Sequence, residues 1–331
     1  AGQALARRTR DALASGAGLR MPAPATPAPP EPAGAEVSPL TPFRTPNADS
    51  YRIDTALSVP QLPAEDWSLR VHGLVGRELR LDWSDLTSRP TQERWITLVC
   101  VSNEVGGELA GNAVWQGTLL ADLLAEAGPV QDADMVLSTS VDGYTASTPL
   151  EALLESPDAL LAYGMNGEPL PLEHGFPVRM VVPGLYGYVS ATKWVVDLEV
   201  TRFADATAFW TPRGYAERAP VKVASRIDVP RAFEEVAAGR AAVAGVAWSP
   251  GPGIQPVEVR VDAGDWQQAA LAEVPGPTTW RQWSWAWDAT PGTHTLEVRA
   301  TDSDCTTQTG ERAPIKPDGA TGWHSVVVRV A

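Results

Sequence analysis

Cysteine is almost absent from this chain: Cys100 and Cys305 are the only two in 331 residues. Two thiols so far apart make no disulfide framework, and they leave the redox compartment open. Histidine is scarce too, with four residues and no C-x-x-C-H signature, so covalent haem attachment has no support. Basic residues are outnumbered, 26 Lys and Arg against 40 Asp and Glu, for a formal net charge of -14. That balance argues against a nucleic-acid partner, because neutralising phosphates needs clustered cations. No apolar run approaches the roughly 20 residues that a membrane-spanning helix requires. No internal repeat is visible.

What is present divides the chain. Ala4-Leu5-Ala6-Arg7-Arg8-Thr9-Arg10 is basic, but no apolar run of the signal-peptide kind follows, which gives a twin-arginine export signal little support. From Met21 to Pro46 the chain is dense in Pro and Ala, a composition that favours an extended, semi-rigid linker. Residues 1–46 therefore read as a basic start and linker, fitting a membrane tether upstream of the chain.

Residues 47–205 read as one domain in which strand-like runs (Trp67 to Leu74, Trp95 to Val99, Met135 to Ser140, Val178 to Val182, Trp194 to Thr201) mix with short helices. Leu119 to Ala127, stopped by Gly128-Pro129, is the clearest helix, and Pro149 to Leu154 starts another. Strands and helices without a regular strand-helix repeat predict an α+β class. Residues 206–228 read as a connection. Residues 229–331 carry short strands separated by Pro and Gly turns, which fits an immunoglobulin-like β-sandwich. Trp283, Trp285 and Trp287 alternate along one strand, share a face, and point to packing.

Cys100 ends the apolar run Trp95 to Val99 and opens the polar, glycine-containing stretch Val101 to Gly107. A strand delivering its last side chain to a loop is a common way to build a site. A thiolate there suits a transition metal or a nucleophile, whereas a buried free cysteine also serves as a small hydrophobe. Both readings stand on the local pattern. Other polar clusters share the 47–205 domain: Tyr51-Arg52-Ile53-Asp54, Asp142 to Ser147, His174 to Arg179, and Gly184 to Trp194. The last combines glycines, hydroxyls and Lys193, a combination that can cradle a phosphate.

Taken in order, five motifs resemble the sulfite oxidase family of mononuclear molybdenum enzymes, in its bacterial haem-free type. They are Cys100 followed by Ser102-Asn103, Gly111 to Leu120, Tyr144 to Pro149, His174-Gly175-Phe176-Pro177-Val178-Arg179, and Lys193-Trp194. Ala300-Thr301-Asp302 and Gly322 to Val326 resemble that family's C-terminal dimerisation domain. The resemblance implies a molybdopterin-binding catalytic domain with a molybdenum-molybdopterin cofactor, followed by the sandwich. Cys100 would be the thiolate ligand to molybdenum. His174, Arg179 and Lys193 would hold the pterin phosphate, with backbone groups around Ser190 and Thr192 assisting. Tyr51, Arg52, Asp54, Ser102, Asn103 and Asp142 would line the pterin or the metal approach. Tyr144 would stand beside the metal, Arg52 would attract an oxyanion, and Trp115 would form a pocket wall. The implied reaction is oxygen-atom transfer coupled to two electrons, with the protein supplying positioning and electrostatics.

Two departures bear on the substrate. Glu104 follows Asn103 where animal and plant relatives carry an arginine, and Asp54 stands where they carry a histidine. A carboxylate near an anion costs roughly 4 kcal/mol at an intermediate dielectric, which argues against sulfite unless cations such as Arg213 or Arg281 compensate. Without haem, electrons would pass to an external cytochrome or membrane redox partner. The basic, Pro-rich start suits an extracytoplasmic location. Reduction of a sulfoxide, nitrate or similar substrate on the same cofactor is an alternative, and a cofactor-free binding module is an alternative of another class.

Overall fold

The computed structural model describes residues 18–331, so the basic stretch Ala4 to Arg10 lies outside the described residues. Two compact units emerge. Among the described residues the first comprises 18–28, 46–94 and 113–219, and the second 29–45, 95–112 and 220–331. The expected division at 206–228 thus falls at Pro220, and the second unit also draws in two earlier segments. Their hydrogen bonds explain why. The Phe43 carbonyl accepts from Trp280 Nε1 at 2.8 Å and Asn112 Nδ2 at 3.0 Å, while Thr97 Oγ1 accepts from the Trp280 N–H at 2.7 Å.

The Pro-rich stretch expected as a linker carries no helix or strand from Met21 to Pro46 and is pinned along its length. In the first unit Gln116 Nε2 donates to the Pro22 carbonyl at 2.7 Å. In the second, Gln282 accepts from the Ala35 N–H at 3.0 Å and donates to the Thr41 carbonyl at 2.7 Å. Backbone polar groups in a segment without helix or strand partners find side chains instead.

The first unit is built on a five-stranded sheet in the order Leu79–Asp82, Ser68–Gly73, Val195–Thr201, Met135–Ser140, Thr145–Pro149. Ser68–Gly73 and Val195–Thr201 run parallel and the other neighbours antiparallel. The helix Leu120–Ala127 buries Leu120, Leu123, Leu124 and Ala127, the one-face spacing of an amphipathic helix, and ends at Gly128 in the left-handed region. The second helix is Leu150–Leu154. The strand Leu160–Met165, buried throughout, pairs with Arg179–Val181 and so fixes Arg179 at the start of a buried strand.

In the second unit one sheet runs Ala224–Val229, Gly239–Trp248, Arg281–Ala289, Ala270–Leu271. The other runs Glu235–Val236, His324–Val330, Gly292–Asp302, Ile254–Val261, Gln267–Gln268. Side chains of both sheets meet in one core, where Trp283 and Trp287 are buried and Trp285 packs partly against them, as their alternation predicts. The described residues are mostly β with a few short helices. Among the described residues these α-helices run only four to eight residues, yet Leu86, Leu120, Leu123, Leu124, Leu150 and Leu153 from them join the strand residues in the first unit's core. No described helix is long and apolar enough to cross a membrane.

Candidate functional site

In the first unit, three chain segments converge at Gly175. Its φ is +111°, which favours glycine, and a Cβ there would lie 3.0 Å from Arg179 Cβ and 3.2 Å from Lys193 Cα. Arg179 is 7% exposed. Among the described residues its guanidinium donates only to carbonyls, those of His174 at 3.0 Å, Ala191 at 3.3 Å and Met180 at 3.4 Å. Burial lowers its pKa to about 10, and Tyr51 opposes that only partly. Among the described residues no carboxylate pairs with it, and a buried charge without a counter-ion is costly unless a ligand supplies one. Trp115 is buried beneath it, with the guanidinium carbon 5.0 Å from the ring centre. The resemblance implies a pocket wall at Trp115, and the structure sets its ring against this cation.

Lys193 lies beside Arg179. Its ammonium donates to Asp54 Oδ2 at 2.7 Å and to the Glu173 carbonyl at 3.0 Å, and sits 4.7 Å from the Trp194 ring centre. Burial pulls its pKa down to about 8 against the support of Asp54. Asp54 also accepts from Arg52 Nε at 3.0 Å. Burial alone would raise the Asp54 carboxyl, but its bonds to Arg52 and Lys193 outweigh that and hold it below its ordinary value. Trp194, buried, has a φ of +53° and anchors its Nε1 on the Leu172 carbonyl at 2.9 Å. A left-handed tryptophan costs about 1–3 kcal/mol, and such strain collects where a neighbouring side chain must be aimed.

The remaining residues of the first unit have more local tasks. His174 Nε2 donates to the Asn47 carbonyl at 3.0 Å, and burial together with the Arg179 charge pushes its pKa down, so it stands neutral. It contributes its carbonyl to Arg179 and adds no charge. Ser190 Oγ donates to the Leu185 and Tyr186 carbonyls, and Thr192 Oγ1 meets Ser138 Oγ at 2.7 Å, so both hydroxyls are used within the fold. Asp142 accepts from the Tyr144 N–H at 3.2 Å in an exposed turn. Tyr144 donates its hydroxyl to the Tyr188 carbonyl at 2.8 Å and packs on Phe209. Arg213 stacks on Phe209. An open cleft of about 530 Å³ in the same unit is lined by Asp66, Arg70, Arg80, Asp82 and Asp85 and holds none of these residues.

In the second unit, Cys100 is a free, buried thiol. Its N–H donates to the Leu109 carbonyl at 2.9 Å, closing a loop. Sγ accepts from the Ser102 N–H at 3.4 Å. Burial raises the thiol pKa, against the opposing bond from Ser102. Asn103 Oδ1 accepts from the Leu109 N–H at 2.8 Å, a brace within the loop. Glu104 is exposed. Gly106, with φ of +81°, receives the His324 ring so closely that a Cβ would come 2.3 Å from its Cδ2, and Arg226 donates to the Gly107 carbonyl at 2.7 Å. His324 accepts from the Ile227 N–H at Nδ1 at 2.9 Å, and burial and Arg226 push its pKa down to about 4. Arg281 donates to the Ala272 and Ile254 carbonyls, a structural use.

Asn47, Arg226 and His324 were not marked as site residues by the sequence. His324 lies within the Gly322 to Val326 motif, so its position was visible and its bracing of the loop was not. The charge objection at Asp54 also changes. Two cations, Arg52 and Lys193, bond the Asp54 carboxylate, and Arg179 lies beside Lys193 without a carboxylate of its own among the described residues, so positive charge is in excess among these four side chains. The donors fit a phosphate-bearing cofactor: a buried fork of N–H groups, a short-tethered ammonium and a glycine cradle. Among the described residues no three His, Cys, Asp or Glu gather as a metal site, which leaves Cys100 as a lone soft donor.

The family profile described as the oxidoreductase molybdopterin binding domain matches residues 56–210. Sulfite oxidase of Gallus gallus is 32% identical over 338 residues, covering 85% of this chain and 72% of that protein. The mitochondrial sulfite oxidase of Homo sapiens is 32% identical over 327 residues, covering 83% of this chain, which spans only 60% of that relative's length. The crystal structure of the sulfane dehydrogenase SoxCD from Paracoccus pantotrophus shares the fold, with a TM-score of 0.73 at 24% identity over 88% of this chain and 85% of that one.

Proposed function

The chain belongs to the sulfite oxidase family of molybdopterin-binding oxidoreductases, and from that membership we propose that it transfers an oxygen atom to or from a small oxyanion with two-electron transfer. The observation that carries the reading is the buried Arg179 guanidinium, bonded only to carbonyls and set beside Lys193 across Gly175. Arg179 and Lys193 hold the pterin phosphate. Trp115 supports the guanidinium from below, and the His174 carbonyl fixes its direction. Cys100 would provide a thiolate ligand to molybdenum, its loop kept in shape by Ser102 and Asn103. When bound, the molybdenum-molybdopterin group supplies the oxygen-atom and electron chemistry.

Arg52, half-exposed at the edge of the cationic cluster, draws in the oxyanion, and the net positive charge of that cluster favours its approach. Tyr144 orders the segment at Tyr188 through its hydroxyl. We assign the two-sheet second unit to the immunoglobulin-like type, supported by the single core its two sheets share, and to dimerisation, supported by the family resemblance. Electrons leave to a cytochrome or membrane redox partner outside the cytoplasm.

Sulfite is the first substrate to test, because Asp54 is neutralised by two cations and Glu104 is exposed. The expected result is sulfite-dependent reduction of ferricyanide or cytochrome by the cofactor-loaded protein. Turnover only with a reduced dye and a sulfoxide or nitrate would overturn the oxidising direction.

A further inference from the structure

Asp54 does something that the phosphate-holding reading does not require. One of its carboxylate oxygens, Oδ2, receives both Lys193 Nζ at 2.7 Å and Arg52 Nε at 3.0 Å, while Oδ1 accepts from the Ala56 N–H at 3.2 Å. A single oxygen thus bridges two cations, and one of them, Lys193, stands next to Arg179, which no carboxylate pairs among the described residues. The side chains of Asp54 and Lys193 are 9% and 10% exposed, so this contact is shielded from solvent and not weakened by screening as surface pairs are. The segment that bears Asp54 has no helix or strand, and its large apolar side chains Ile53 and Leu57 face solvent, at 51% and 107% exposure.

We propose that Asp54 is an internal anion that occupies Lys193 and Arg52 in the cofactor-free chain and competes with an incoming phosphate, so that this residue sets how strongly anionic a ligand must be to enter. The proposal rests on the reading of Arg179 and Lys193 as the phosphate-holding pair. Two opposing effects meet at Lys193. The carboxylate helps keep the ammonium charged, which favours phosphate, and it takes the donor and places a like charge beside the ligand, which disfavours it. The ammonium has three donors, of which Asp54 and the Glu173 carbonyl take two. A dianion within 4–6 Å of a fixed carboxylate suffers repulsion that a neutral amide in the same place would not impose. Competition therefore outweighs support.

The test uses the full chain purified from a host that makes no molybdopterin, titrated calorimetrically with inorganic phosphate. Asp54→Asn is expected to bind phosphate about tenfold more tightly than the unsubstituted chain, and Lys193→Met to lose that binding in both backgrounds. Asp54→Ser, which also removes the charge, gives the same order, and circular-dichroism melts establish that each variant is folded. Equal or weaker phosphate binding in Asp54→Asn, with binding still lost in Lys193→Met, overturns the competition while leaving the anion site standing. Phosphate binding in none of the proteins, or binding indifferent to Lys193→Met, overturns the anion site and the competition together.

Discussion

At the scale of residues, charge without a counter-charge is what distinguishes this site from ordinary surface. Lys193, with a pKa of about 8 set by burial, is cationic below that value and loses its charge above it. Phosphate affinity of the cofactor-free chain should therefore fall as pH rises from about 7 to about 9.5, the direction opposite to that expected from the ligand's own ionisation. Lys193→Arg, charged across the whole range, should flatten the profile; calorimetric titration at both pH values checks this, and an equal fall in the variant would assign the effect elsewhere. The sequence marked Cys100, Arg179 and Lys193 as donors at visible motif positions, and the structure brings Arg179 and Lys193 together around Gly175. Their partners were not readable. Nothing in the local sequence says that Asp54 folds onto Lys193, that Trp115 lies beneath Arg179, or that His174 spends its ring N–H on Asn47.

At the scale of elements, the loop after Cys100 is shaped by residues far along the chain. The His324 ring rests on Gly106, and Arg226 bonds Gly107, both from strands of the second unit's two sheets. Gly106→Ala places a methyl group against that ring and strains a left-handed backbone, which together should lower unfolding stability by about 2–4 kcal/mol. In a His324→Ala background the same substitution should cost only about 1 kcal/mol, the backbone part. Urea unfolding of the four proteins reads the difference, and an equal cost in both backgrounds would show that the ring does not press on Gly106. Elements with strong local signals were legible: the helix Leu120–Ala127 with its glycine stop, and the alternating strands of the second unit. Ala110–Leu119 and Leu160–Met165 lacked such signals, because a strand covered on both faces shows no alternation.

For the whole molecule, the sequence read as a spacer followed by two successive domains, whereas each unit gathers segments from separate parts of the chain. Long-range hydrogen bonds such as Trp280 to Phe43 and Gln282 to Thr41 make that division, and no local pattern encodes them. Family membership accounts for the cofactor, and the parts we propose for its hold are the cationic cluster and the Cys100 thiol. The most direct measurement is molybdenum content by elemental mass spectrometry on protein made in a host competent for the cofactor. The account predicts about one molybdenum per chain, lost in Cys100→Ser while the variant melts as a folded protein. A folded, unsubstituted protein that persistently lacks molybdenum, or Cys100→Ser that retains it in full, would contradict it.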